Sequence, residues 1–145
     1  MRNAKATLTE QELEIMKVIW SLETATVRNV YETLLERRRI AYTTVMTMMN
    51  ILEQKGYLKK TQKERAYVYH AARPQKQVIR GMVREFVDRV FNGSAEPLLL
   101  HLVEDSRVSK ADLEEIRRMI EDNSDRKKQS GTAAGAPVSK GPRLV

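Results

Sequence analysis

Cysteine is absent from this 145-residue chain, which excludes a disulfide framework and any thiolate metal site. The only two histidines, His70 and His101, stand far apart with no ligand-like spacing. No apolar run approaches the ~20 residues of a membrane-spanning helix. The opening MRNAKATLTE has no hydrophobic stretch behind its early Arg, so no signal peptide is expected and a cytoplasmic protein is. A nucleophile–base pair and a Gly-rich phosphate loop after a strand are also missing. Those absences argue against an enzyme and leave no cofactor to expect.

What the chain does have is positive charge, +7 overall and unevenly spread. Residues 1–73 carry 13 Lys and Arg against 8 Asp and Glu, residues 74–123 carry 8 against 10, and residues 124–145 carry 5 against 1. Polyanion binding would therefore draw on the first segment, while the slightly acidic middle suits another task. The length suits one domain with an appendage. The three segments are expected to be a DNA-binding domain over 1–73, a helical dimerisation region over 74–123, and a basic disordered tail over 124–145.

Two helices are announced by their starts. Thr9 is an N-cap with Glu12 completing a capping box and Leu8 stapled on Leu13; Leu13, Met16, Ile19 and Trp20 then recur at helical spacing. Thr26 precedes Val27, Val30, Tyr31 and Leu34, a second helical stripe that closes on Glu36-Arg37-Arg38-Arg39.

The stretch from Ala41 to His70 carries most of the information. On a helical wheel Val45, Met48, Met49 and Leu52 gather on one side. Thr43, Thr47, Asn50 and Gln54 fall opposite, flanked by Met46 and Thr44. Threonine is a mediocre helix former, so propensity does not account for three on a surface stripe. Short side chains with a donor, an acceptor and a methyl group do suit base edges and thymine methyls in a major groove. Gly56 sits where a helix C′ residue belongs. Beyond it, Tyr57-Leu58 opens a strand, the basic stretch from Lys59 to Arg65 forms the turn region, and Ala66 to His70 returns with Tyr67 and Tyr69 on one face. A groove-entering helix followed by a basic hairpin is the layout of a winged helix-turn-helix. The expected fold class is thus mostly α with a small β-hairpin.

Residues 75–123 read as three further helices. The first carries Ile79, Met82, Val83, Phe86, Val87 and Val90 and stops at Asn92-Gly93. The second, Glu96 to Val103, is almost wholly apolar. The last is capped by Ser109 with Asp112 and carries Leu113, Ile116 and Ile120. This is more apolar surface than so small a segment can bury on itself, and a two-fold dimer is the economical solution. Phe86, Val90, Leu99, Leu102, Leu113, Ile116 and Ile120 are the candidates for that interface.

The order LTEQELEIMKVIW, ATVRNVYETLL, AYTTVMTMMNILEQKGYL, AYVYH, VIRGMVREFVDRVFNGS and VSKADLEEIRRMIED resembles the penicillinase-repressor (BlaI/MecI/CopY) family of winged-helix transcriptional regulators over roughly residues 7–123. The resemblance implies a homodimeric repressor that binds a palindromic operator in double-stranded DNA and blocks transcription sterically. It nominates Tyr42, Thr43, Thr44, Met46, Thr47 and Asn50 for base readout and Lys60, Lys63 and Arg65 for phosphate contact, with Tyr67 equally suited to packing. Where relatives have basic side chains on this helix, the chain offers Thr43, Met46 and Ile51, which implies fewer charge contacts and a different base preference. The copper-responsive branch carries a cysteine cluster that is missing here. The antibiotic-responsive branch is relieved by a sensor-linked protease at an Asn-Phe pair, and the matching place reads His101-Leu102; cleavage stays open. The alternatives are a winged helix used only for protein–protein contact and a ligand-responsive regulator.

Overall fold

Two threonine caps set where the chain turns helical. The computed structural model describes residues 7–129. At the start of α1 (Glu10–Leu22) the Thr9 hydroxyl accepts from the Glu12 amide, and the Glu12 carboxylate accepts from the Thr9 amide. α2 (Val27–Leu35) begins with the same reciprocal pair between Thr26 and Asn29. Between these helices lies β1 (Thr24–Ala25), too short to stand out in the sequence. α3 (Tyr42–Gln54), β2 (Leu58–Lys63), β3 (Ala66–Ala71) and α4 (Gln75–Phe91) follow. α5 (Ala95–Glu104) and α6 (Lys110–Gln129) complete the chain. The sheet is antiparallel in the order β1-β3-β2. The expected mostly helical fold with a small hairpin is what forms, with β1 as a third strand on the hairpin's outer edge.

The helical stripes meet in one core. Ile15, Met16 and Ile19 of α1, Val30 and Leu34 of α2, and Val45, Met49 and Leu52 of α3 are buried together with Leu58 of β2 and Tyr69 of β3. The stripe of α1 is rotated from the one expected: Ile15 and Val18 are buried, whereas Leu13 and Trp20 lie at the margin. α1 is covered from two sides, by the helices and by the sheet, so its apolar face is wider than a single stripe. Truncating a core residue such as Leu52 to Ala would cost roughly 2–5 kcal/mol by lost transfer energy plus the cavity left behind.

The chain divides into two compact units, Met1–Met82 and Val83–Val145. The first reaches past residue 73 because Val78 is buried in its core and Met82 packs against it. In the second unit Asn92 and Gly93 take left-handed φ values of 55° and 85°, which ends α4 as expected. Ser109 and Asp112 cap α6 reciprocally. α6 runs on to Gln129, past Ser124 where the tail was expected to begin; the rest of that tail lies outside the described residues. Among the described residues no helix is long and apolar enough to cross a membrane.

Among the described residues of the first unit, Glu12 is the one charged residue that is buried, 5% exposed. Burial pushes its carboxyl up, but the Lys55 ammonium at 2.8 Å and the Thr9 amide outweigh this and hold it below its ordinary value. Its unfolded form therefore takes up a proton first on acidification. The stabilisation is present above the ordinary carboxylate range and is lost as pH falls through the folded value. Glu12→Gln should cost about 1–3 kcal/mol at neutral pH by leaving Lys55 without its charged partner. That deficit should shrink towards about pH 3. Denaturant unfolding of both forms across this range is the check, and a pH-independent gap would remove Glu12 as the ionised partner.

Candidate nucleic-acid interface

α3 presents an exposed surface almost free of charge. Tyr42, Thr43, Thr44, Met46, Thr47, Asn50, Ile51 and Gln54 are all exposed, and Glu53 is the helix's single charged residue. The six residues expected to read bases thus share one solvent-facing side, opposite the buried Val45, Met49 and Leu52. Unlike α1 and α2, α3 starts at Ala41 with no side-chain cap, so its first amides face outward without an internal acceptor from a capping group.

Tyr42 is held at the edge of this surface. Its ring meets Tyr31 edge-on at 5.3 Å, and the Arg28 guanidinium lies over it at 5.7 Å from the ring centroid. Arg28 and Tyr31 come from α2, and no local pattern pairs them with Tyr42; the only signal was that both are large side chains in a short helix. Arg28 also approaches Glu32 at 3.5 Å on the helix surface. Of the Arg37-Arg38-Arg39 run, Arg38 turns back to Glu14 at 2.8 Å, which holds its guanidinium above its ordinary value. Arg37 and Arg39 are exposed.

The exit from α3 fixes where the hairpin lies. The Tyr57 amide donates to the Leu52 carbonyl and the Gly56 amide to that of Glu53, the paired bonds of a Schellman stop. Gly56 has φ 88°, a conformation that side chains with a Cβ rarely adopt. Register then pairs Leu58 with Ala71 and continues to Lys63 with Ala66, leaving Glu64-Arg65 as a two-residue loop. Glu64 itself has φ 58°.

The three expected phosphate ligands are separated by this register. Leu58, Lys60 and Gln62 alternate onto the face that carries Tyr69, while Lys59, Thr61 and Lys63 point the other way. Lys63 and Arg65 are exposed near the tip and have no ion-pair partner among the described residues. Lys60 instead lies 3.3 Å from Glu53 and over the Tyr67 ring at 4.4 Å. The Glu53 carboxylate raises its ammonium above the ordinary value. Tyr69 is buried, which pushes its phenol up, and its hydroxyl donates to Asn50 Oδ1 at 3.4 Å. Tyr67 is 47% exposed, so it is both a surface ring and a packing partner.

The interface candidates of the second unit are also at the surface. Phe86, Val90, Leu99, Leu113 and Ile120 are exposed, and Leu102 and Ile116 are half-buried. Phe86 stacks edge-on with Phe91 at 5.8 Å, and Phe91 in turn lies 5.9 Å from the His101 ring.

Three helices, a short strand between the first two, and a basic hairpin after the third define a winged helix-turn-helix protein of the transcription-regulator class. The match to known proteins narrows the class: residues 8–122 match the penicillinase repressor family model, and the chain belongs to that family. It is 27% identical to the penicillinase repressor of Bacillus licheniformis over 84% of this chain and 95% of that protein. It is 34% identical to the transcriptional regulator BlaI of Mycobacterium tuberculosis over 78% of this chain and 82% of that one. A methicillin resistance regulatory protein MecI from Staphylococcus aureus is 22% identical over 83% of this chain and 98% of its own length. Among solved structures, the Vibrio cholerae ferric uptake regulator covers 63% of this chain and 86% of its own, at 16% identity and a TM-score of 0.44.

Gly56→Ala should destabilise the first unit by roughly 1–2 kcal/mol, since its left-handed backbone disfavours a Cβ. The added methyl meets only the Arg73 guanidinium, at an ordinary 3.5 Å, so the cost is conformational. A denaturation midpoint equal to that of the unsubstituted chain would show that the turn relaxes.

Proposed function

We propose that this chain is a transcriptional repressor that binds a palindromic operator as a homodimer and blocks transcription sterically. The observation that carries it is the exposed, uncharged side of α3. Surface helices normally keep charged residues towards water. A helix that exposes threonines, an asparagine and a methionine instead is suited to base edges and methyl groups. The uncapped amides at its start suit a phosphate oxygen beside the same groove. Lys63 and Arg65, at the hairpin tip, suit phosphates flanking it.

The dimer is supported by the second unit. None of its described residues is buried, yet Val83, Leu100 and Ile120 are 51, 55 and 59% exposed. A second copy packed on these helices would remove that surface from water and place two α3 helices on two half-sites. Half-sites about one helical turn apart, or a small multiple of it, would follow. Relief by a sensor-linked protease would require α5 to open around His101-Leu102, because the backbone is helical there.

Selection of bound duplexes from a random pool, with the solution mass measured alongside, tests the reading. A palindromic consensus bound by a dimer is expected; no enriched sequence would overturn it. Thr47→Ala should weaken the selected duplex more than a random one, by about 1–3 kcal/mol of discrimination, and equal losses would remove Thr47 from base readout. Arg65→Ala should weaken both alike and reduce the salt slope by about 0.9. Ile120→Glu should leave the first unit folded but give a monomer with poor operator affinity, as read by sedimentation and binding together.

A further inference from the structure

Among the basic residues of the hairpin, Lys60 differs from its neighbours in direction. It shares the inner face of β2 with the buried Leu58, and its cross-strand partner is the buried Tyr69. Its ammonium is enclosed by the Glu53 carboxylate at 3.3 Å and the Tyr67 ring at 4.4 Å. The side chains of Lys60 and Glu53 are only 29% and 33% exposed. Lys63, three residues on, lies on the opposite face with no carboxylate beside it among the described residues.

We propose that Lys60 is a positioning residue that fastens the hairpin to α3 through Glu53 and Tyr67, and that phosphate contact by the hairpin falls to Lys63 and Arg65. This deepens the operator reading and rests on it for the role of the hairpin. A cation already paired with a carboxylate and seated on an aromatic face releases little counterion on meeting DNA, because its charge is largely compensated beforehand. The same contact neutralises the only carboxylate on α3. Glu53 stands one helical turn beyond Asn50, so an unpaired charge there would lie beside the surface offered to an anionic duplex. Tyr69 ties the two ends of the cluster together, with Lys60 across the ladder and Asn50 at the end of its hydroxyl.

The test has two readouts on the full chain. In the absence of DNA, amide hydrogen exchange is followed over β2 and β3 for K60Q, E53Q, the double variant and K63Q. K60Q and E53Q should each speed exchange by about two- to fivefold, the scale of a surface ion pair. The double variant should be no faster than either single one, as coupled residues require, and K63Q should leave exchange unchanged. With the duplex recovered by selection, affinity is measured across a salt series. K63Q should lower the salt slope by about 0.9, whereas K60Q should reduce affinity with the slope intact. Unchanged exchange in K60Q, or a slope lowered by K60Q as far as by K63Q, would overturn the assignment. If the unsubstituted chain binds no duplex, the operator reading falls, and the exchange readout still decides whether Lys60 fastens the hairpin.

Discussion

The end of α3 is where the first unit is held in register. Lys55 reaches back to the Glu12 carboxylate at 2.8 Å and to the Thr7 carbonyl at 3.1 Å, tying the last turn of α3 to the first turn of α1. The next residue, Gly56, reverses the chain, and Tyr57 enters the core with the Arg73 guanidinium 4.6 Å above its ring. The Arg73 carbonyl accepts from the Trp20 indole at 3.0 Å, and the Ala72 amide donates to the Tyr57 carbonyl. Helix α1, helix α3, both hairpin strands and the approach to α4 thus meet around three consecutive residues. Because Glu12 also caps α1, one carboxylate sets both the start of the first helix and the end of the third. The angle between α3 and the hairpin is consequently a property of the core rather than of a loose turn.

The second unit obeys a different constraint. Short helices with apolar residues on several sides can bury little on one another, since small assemblies enclose a small fraction of their surface. α5 shows this most clearly: ten residues, Leu98, Leu99, Leu100, Leu102 and Val103 among them, and none buried. α6 is the reverse, strongly charged with a narrow stripe at Leu113, Ile116 and Ile120, and its Arg117 is clamped between Glu114 and Glu121 on the wet side. An apolar helix together with one that carries a single apolar stripe leaves apolar surface for which the described residues of this unit provide no cover. On the homodimer reading the second copy supplies it, and folding and association of this unit become one event.

Much of this was legible in the sequence because the signals were local. Thr9 with Glu12, Gly56 after Gln54-Lys55, Asn92-Gly93 and Ser109 with Asp112 each fix a boundary within four residues, and each boundary lies where the pattern put it. The exposed side of α3 was equally readable, because one helical period suffices to sort Thr43, Thr47 and Asn50 from Val45 and Met49. What escaped was set by distant partners. β1 is two residues long and exists only because Thr24 and Ala25 find His70 and Tyr69. The Arg28–Tyr42 stack, the Lys55–Glu12 pair and the Lys60–Glu53 pair join residues on different elements. The basic character of the stretch from Lys59 to Arg65 was plain in the sequence, but composition carries no information about which face of the pleat each residue takes.

That distinction changes what the charge of the first segment can do. Of its 13 Lys and Arg, Arg28, Arg38, Lys55 and Lys60 already face carboxylates. Their charge contributes to the long-range attraction of a polyanion, which depends on the summed field. It contributes far less to close phosphate contact, where each cation must give up its present partner. The described cations of this segment with no carboxylate beside them among the described residues are Lys17, Lys59 and Arg73 together with two pairs at the margins of α3: Arg37 and Arg39 before it, and Lys63 and Arg65 at the hairpin tip. Between them lies a helix face with no positive charge at all. On the operator reading, orientation would then come from the two margins and discrimination from the uncharged surface they bracket. Such a surface gains little from an arbitrary duplex, since phosphate neutralisation supplies nearly all non-specific affinity. The shortage of cations on α3, which looks like weakness in a DNA-binding helix, would widen the gap between the right sequence and the wrong one.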